Sequence, residues 1–257
     1  MKGIDISHWN GNINFQKVKN AGIQFVIIKA GGSDSGNGYK DSMFETNYVK
    51  AKAAGLYVGA YYFVGKQFIT RENGIADAKK FYDIIKGKTF TMPVCLDLEA
   101  TSPANKAGAT EATVAFCDYM ESLGYYVSIY SSTDSGFQER LDCSKLTAYD
   151  KWVASWKSTK PKYPDSFGMW QYSSKGNVDG IEGNVDLDYA YKDYPSIIKA
   201  MKTVNTLKEE MWNQYVEIAR EVIKGRFGDG ETRVKLLEAA GYDYDWVQKI
   251  VNYLLTE

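Results

Sequence analysis

Met92-Pro93-Val94-Cys95-Leu96-Asp97-Leu98-Glu99 is the stretch around which the rest of the chain arranges itself. Val94, Leu96 and Leu98 alternate with Cys95, Asp97 and Glu99, the period of a short buried strand. Two carboxylates two residues apart on a strand point the same way, with Cα atoms about 6.5–7 Å apart. An Asp-x-Glu is as a rule two solvated acids at a strand end. Here the apolar alternation and the following Ala100-Thr101-Ser102-Pro103 loop place the pair at a strand's C-terminal end, where α/β folds keep their chemistry. The spacing suits a general acid beside a second acid that stabilises or attacks a developing cation.

Working outward, eight strand candidates precede residue 190: 3–7, 24–30, 56–64, 92–98, 126–131, 151–155, 168–172 and 184–189. Helical periodicity fills the early gaps at 14–20, 41–54, 74–86 and 110–123. Strand–helix alternation predicts a parallel sheet, and eight strands predict a closed barrel. The run Lys157-Ser158-Thr159-Lys160-Pro161-Lys162-Tyr163-Pro164 is too short and too proline-rich for a helix, so the expected barrel is irregular, with its late helices missing. Ile4 and Ile6 face away from Asp5 and Ser7, and Val185 and Leu187 away from Asp186 and Asp188. With Asp97 and Glu99, three strands thus turn acids opposite to their aliphatics. Such buried acids are expensive as structure, so a functional cluster is the better reading.

Composition narrows the chemistry. The 257 residues suffice for one large core plus a small appendage. A net charge of −1 offers nothing to nucleic acid or an anionic membrane, and no run of 18 apolar residues is present to span one. The 20 tyrosines and 6 tryptophans fit either carbohydrate-facing ring surfaces or an aromatic core. Trp9, Tyr61, Tyr130, Trp156 and Trp170, at or near strand ends, are the candidates for a sugar site. A single histidine, His8, disfavours zinc amidases and peptidases and Ser-His or Cys-His nucleophiles; it reads as a hydrogen-bonded structural group. Asp188 likewise reads as structural. Cys95, Cys117 and Cys143 sit in apolar stretches as reduced core thiols. Met1-Lys2-Gly3 runs straight into the first strand without a signal peptide.

Taken together, Gly3-Ile4-Asp5-Ile6-Ser7-His8-Trp9-Asn10-Gly11, Gly59-Ala60-Tyr61-Tyr62-Phe63, Leu96-Asp97-Leu98-Glu99, Trp170-Gln171-Tyr172-Ser173 and Gly180-Ile181-Glu182-Gly183-Asn184-Val185-Asp186-Leu187-Asp188 resemble glycoside hydrolase family 25, the Chalaropsis-type lysozymes. The likeness covers residues 1–192. It implies an irregular β/α barrel and 1,4-β-N-acetylmuramidase activity with no cofactor and no metal. By position, Glu99 matches the general acid, Asp97 its acidic partner, and Asp5 and Asp186 the acids completing the cleft. Glu99 must then be protonated near neutral pH while Asp97 stays ionised, and like charge from Asp97, Asp5 and Asp186 raises the Glu99 pKa in the required direction. Two departures fall near the expected cleft: Tyr62 stands where many members carry His, and Gly31-Gly32-Ser33 where many carry Thr-Glu-Gly.

After Tyr194-Pro195 the pattern changes to three amphipathic helices, 207–224, 231–240 and 244–255, broken at Gly225…Gly228-Asp229-Gly230 and at Gly241-Tyr242-Asp243. The expected organisation is a barrel over 1–195, a connecting segment 196–206 and an all-α three-helix bundle over 207–257. Residues 218–233 and 237–248 are similar to the seven-type cell-wall-binding repeat of phage lysins, a three-helix bundle recognising muropeptide. On that likeness Arg233, Tyr242, Asp243 and Trp246 are the binding candidates, with Tyr242 and Trp246 equally readable as bundle core. Residues 208–257 carry seven Lys/Arg against ten Asp/Glu, so charge does not draw this part to anionic polymers.

The expectation is therefore a two-part endolysin acting on bacterial peptidoglycan, made in a host cytoplasm and reaching the wall after holin-mediated release. Its partners are glycan strands and muropeptide, not nucleic acid or membrane, with self-association through the C-terminal module if Met201 or Met211 starts an internal product. The competing readings are a wall-binding protein with an inactive barrel and a peptidoglycan amidase or endopeptidase.

Overall fold

The computed structural model of the protein describes residues 1–157, 159–162 and 166–256. It divides into two compact units, Met1–Lys199 and Ala200–Glu257. In the first, β1 (Lys2–Ile6), β2 (Phe25–Gly32), the two-residue β3 (Tyr39–Lys40), β4 (Tyr57–Val64), β5 (Val94–Leu98), β6 (Val127–Ser132), β7 (Asp150–Ala154), β8 (Met169–Gly176) and β9 (Val185–Ala190) form one sheet. Its order is β1-β9-β8-β7-β6-β5-β4-β2-β3, and β1 also pairs with β2. That extra pairing closes an eight-stranded barrel, with β3 a short antiparallel flap on β2.

Helices α1 (Phe15–Asn20), α2 (Phe44–Ala53), α3 (Arg71–Ile85) and α4 (Lys106–Ser122) fill the first four crossovers, and those strands run parallel. Among the described residues, the connection from β6 to β7 carries two short helical turns, Thr133–Gln138 and Cys143–Lys145, and those from β7 to β9 carry none, as the sequence led us to expect for the later crossovers. Of the helix-free run 157–164, residues 158, 163 and 164 lie outside the described residues. The wholly parallel sheet is corrected at its end: β9 is antiparallel to both β8 and β1. A parallel return needs a crossover of about a dozen residues or more. Residues 177–184 are too few, and they turn back through Gly180 and Gly183, both at positive φ.

The strand period sorts the core into two layers. Ile4, Ile6, Val26, Ile28, Val58, Val94, Leu96, Leu98 and Ile129 face outward and are covered by Phe15, Val18, Phe44, Phe81 and Phe116. The opposite face looks into the barrel, whose lower half is packed by Phe25, Ile27, Met92, Cys95, Trp152 and Met169. Helix α5 (Tyr194–Ile223) begins beneath this packing and adds Tyr194 and Ile198 to it. The Tyr194 hydroxyl donates to Asp150 Oδ2 at 2.7 Å.

The connecting segment 196–206, which the lack of any Gly or Pro run marks as helical and stiff, lies within α5. In the second unit α5 continues, followed by α6 (Gly230–Ala239) and α7 (Tyr244–Leu254). Ala219, Val222, Leu237, Val247, Ile250 and Val251 form this unit's small core.

Helices α3 and α4 meet without side chains between them at Gly74. A Cβ at Gly74 would overlap the Ala112 carbonyl. Helix propensity alone favours alanine by about 1 kcal/mol, but forcing two backbones apart costs about 1–3 kcal/mol. Gly74→Ala is therefore expected to lower barrel stability by up to about 2 kcal/mol in a urea titration. A gain in stability would mean that α3 yields freely away from α4.

Candidate active site

At the C-terminal ends of β1 and β5 the lumen face turns polar. Asp5 extends inward from β1, Asp97 and Glu99 from β5 and the residue after it, and Asp186 from β9. The antiparallel register sets Asp5 directly opposite Asp186. All four border one cleft of about 350 Å³, walled by Trp9, Tyr61, Phe63, Tyr130 and Trp152. A second depression of about 520 Å³, beside α1 and α2, is lined by Asn12, Gln16 and Lys50 and carries no acid. Its Lys50 is already bonded to Asn12.

Directional hydrogen bonds hold the cleft's polar groups. Gln171 on β8 donates through Nε2 to Asp5 Oδ2 at 2.8 Å. Its Oε1 accepts from the Tyr130 hydroxyl and from Trp156 Nε1, both at 3.0 Å. With that oxygen doubly engaged, the amide is fixed and Asp5 Oδ2 must act as an acceptor. Lys29, buried on β2, is the cation among the lining residues, its Nζ 4.9 Å from the Phe63 ring centroid. His8 is structural: Nδ1 lies 2.7 Å from the buried Asp41 Oδ2.

Burial raises the pKa of all four acids. For Asp97 burial leads, contact with Glu99 adds to it, and Lys29 opposes. Glu99 is open to solvent on one side, yet the crowded barrel rim leads its upward shift; Asp186 adds to it, while Arg140 and Lys29 oppose. Here the sequence expectation needs correcting. The neighbouring Asp97 lowers Glu99 rather than raising it, against the upward push of burial and Asp186. Both members of the pair are held above the ordinary carboxylate range, with burial as the leading cause for each.

Tyr61 and Tyr130 line the cleft, as do Trp9 and both members of the Asp97/Glu99 pair. Trp170 does not. The period of β8 turns Gln171 inward and sends Trp170 to the opposite face, where its ring meets Tyr172 and its Nε1 donates to Ser155 O at 2.8 Å. Trp156, 63% exposed, is held at the cleft side through Gln171. Sequence reasoning overlooked Lys29, Trp152 and Gln171. The signals were a lysine inside the aliphatic run Val26-Ile27-Ile28-Lys29-Ala30, and the inward parity of Trp152 and Gln171 on their strands.

In the second unit the four binding candidates do not converge on one pocket. Asp243 caps α7, its Oδ1 accepting from Trp246 N at 2.8 Å. Tyr242 packs on the bundle core and against Tyr215. Arg233 ties Gly228 O to Gln248. Trp246 alone borders an apolar groove of about 230 Å³, together with Met211, Trp212, Tyr215 and Ile250.

The raised carboxyls carry a stability signature. Between the ordinary carboxylate pKa and the raised value of Asp97, the folded protein binds more protons than the unfolded chain, so stability falls as pH rises through this window. Asp97→Asn removes that penalty. The barrel's melting point in the variant is expected to match the unsubstituted protein near about pH 4 and to exceed it at about pH 8, by about 1–3 kcal/mol of stability. Equal melting curves at both pH values would show that Asp97 is ionised at no cost.

Comparison with known proteins agrees with this geometry. The sequence model of glycosyl hydrolases family 25 matches residues 4–181, and that of the CW_7 repeat matches residues 216–255. The chain is 32% identical over 188 residues to the autolytic lysozyme of Clostridium acetobutylicum, covering 73% of this chain and 55% of that protein. It is 26% identical to the lysozyme of Streptococcus phage Cp-7, over 97% of this chain and 68% of the other. Among solved structures the CTP1L endolysin superposes with a TM-score of 0.68 at 30% identity, covering 77% of this chain and 69% of that one. The chain thus spans little more than half the length of the clostridial relative. With a closed barrel, an acid-lined mouth and a matching stretch that takes in every strand from β1 to β8, the chain belongs to glycosyl hydrolases family 25.

Proposed function

We propose that this protein hydrolyses the β-1,4 bond between N-acetylmuramic acid and N-acetylglucosamine in bacterial peptidoglycan. The observation that carries the reading is the convergence of Asp97, Glu99, Asp5 and Asp186 on one aromatic-walled cleft. Glu99, on the open side, gives its proton to the glycosidic oxygen as the bond to the anomeric carbon breaks. The remaining carboxylates stabilise the oxocarbenium-like charge that develops there. Asp97 or the substrate's own acetamido oxygen then serves as the nucleophile of a retaining cleavage. Trp9, Tyr61 and Tyr130 offer ring faces for the sugars. Support comes from relatives named lysozyme and N,O-diacetylmuramidase, and from the autolysin LytC, 26% identical and solved with a synthetic peptidoglycan ligand.

The second unit is proposed to tether the barrel to the wall, with Trp246 and its groove as the contact. A tether raises local substrate concentration without new catalytic contacts. Association between copies through this unit is part of the same proposal: for the similar CTP1L endolysin a secondary translation product regulates activity, and Met201 and Met211 here precede the CW_7 match.

The direct test is digestion of purified peptidoglycan, borohydride reduction and mass spectrometry of the new ends. Muramitol is expected. Glucosaminitol would move the cleaved bond, and no new reducing end with retained wall binding would make the protein a tether. Glu99→Gln is expected to lower turnover by about 10²–10⁴-fold. Removing residues 200–257 is expected to cut lysis of whole walls by about tenfold or more while leaving turnover of soluble fragments nearly unchanged. Equal losses on both substrates would show that the second unit serves the barrel rather than the wall.

A further inference from the structure

Asp188 has no part in the chemistry proposed above, yet it is fully buried in the wall of the site, two residues along β9 from Asp186. Its Oδ1 accepts from Trp152 Nε1 at 2.7 Å. Its Oδ2 is also buried and meets no N–H or O–H donor. Asp5, on the adjoining strand and 6% exposed, lies beside Asp188 and directly opposite Asp186, in side-chain contact with both. Asp5 in turn accepts from Gln171, whose amide orientation Tyr130 and Trp156 fix.

Each carboxyl therefore accepts a bond on its outer side and meets the other carboxyl on its inner side. Two ionised carboxylates so placed repel each other and leave the buried Asp188 Oδ2 without a donor. One proton between them satisfies both, as in other carboxyl pairs that share a site. The surroundings offer no other relief. Asp186 adds negative charge from the same strand, Trp152 and Gln171 from β7 and β8 are neutral, and no cation acts on Asp188 among the described residues.

We propose that Asp188 is a positioning residue for Asp5: the two hold a single shared proton, which locks Asp5 in the cleft and limits the pair to one negative charge. This rests on the glycosidase reading for its kinetic consequence, but not for the proton. With the pair singly charged, the cleft presents Asp5 in one orientation and with less repulsion towards Asp186 and Glu99.

Infrared difference spectroscopy of the full chain at neutral pH, comparing it with Asp188→Asn, reads the proton directly. The expected result is loss of a protonated-carboxyl C=O band with no loss of carboxylate intensity, whichever residue holds the proton. Loss of a carboxylate band instead would overturn the proposal. Kinetics on soluble muropeptide oligomers read the positioning. Asparagine supplies a permanent N–H to Asp5 and an oxygen to Trp152, so Asp188→Asn should retain most of kcat. Asp188→Leu should lose about tenfold or more in kcat with little change in KM. A leucine variant as active as the unsubstituted protein would remove the positioning role. If leucine prevents folding, the asparagine spectrum still decides the shared proton. If the substrate is not cleaved at all, the spectral result stands alone and the failure belongs to the glycosidase reading.

Discussion

Every strand of a closed barrel has one face against the helical shell and one against a narrow lumen, and the strand period of two makes neighbours along the chain belong to different worlds. This constraint organises the molecule. Once Val94, Leu96 and Leu98 are committed to the layer under α3 and α4, Cys95 and Asp97 have nowhere to go but inward. The lumen is filled with large side chains in its lower half, so only the mouth has room for polar groups. Acids near the C-terminal strand ends are thus held by the same packing that holds the aliphatics on the other face. A slip of one residue in β5 would bury Leu96 with the acids and push Asp97 into the helix layer.

The sequence patterns reached as far as this periodicity reaches. The eight barrel strands, the four crossover helices and the inward acids all follow from alternation and spacing. What stayed hidden depends on contacts made through space. The reversal of β9 is decided by the length of the 177–184 connection, not by any residue within the strand. Trp170 looked like a sugar platform because tryptophan is a good one, but on β8 the inward parity belongs to Gln171. Lys29 and Trp152 were masked by the same bias, since a lysine in an aliphatic run and a tryptophan in a strand core both read as exceptions or packing. In the second unit, the cap made by Asp243 shows why polar residues just before a helix are poor guides to binding: their first duty is to an orphan backbone N–H.

Charge in the cleft is managed with few cations. Lys29 lies among rings rather than in a close ion pair with the acids, and Arg140 spends one hydrogen bond on the Thr101 carbonyl. Burial raises the pKa of all four acids and so favours their protonated forms. The neutral donors of the cleft, Gln171, Tyr130 and the two indoles of Trp152 and Trp156, keep Asp5 and Asp188 in defined places.

The floor of the barrel is made by the beginning of the helix that the second unit continues. Tyr194, anchored to Asp150, and Ile198, one turn later, are fully part of the lumen packing. For the exchange of modules between proteins of this kind, this moves the natural seam. A recombination point at the Tyr194-Pro195 dipeptide, where the composition changes, would hand the barrel's plug to whatever appendage follows. The seam that leaves the catalytic unit whole lies beyond Ile198. An incoming module that joins earlier must bring its own aromatic and aliphatic pair at a four-residue interval. The appendage at this position is thus constrained by the fold of the enzyme it serves, over one helical turn.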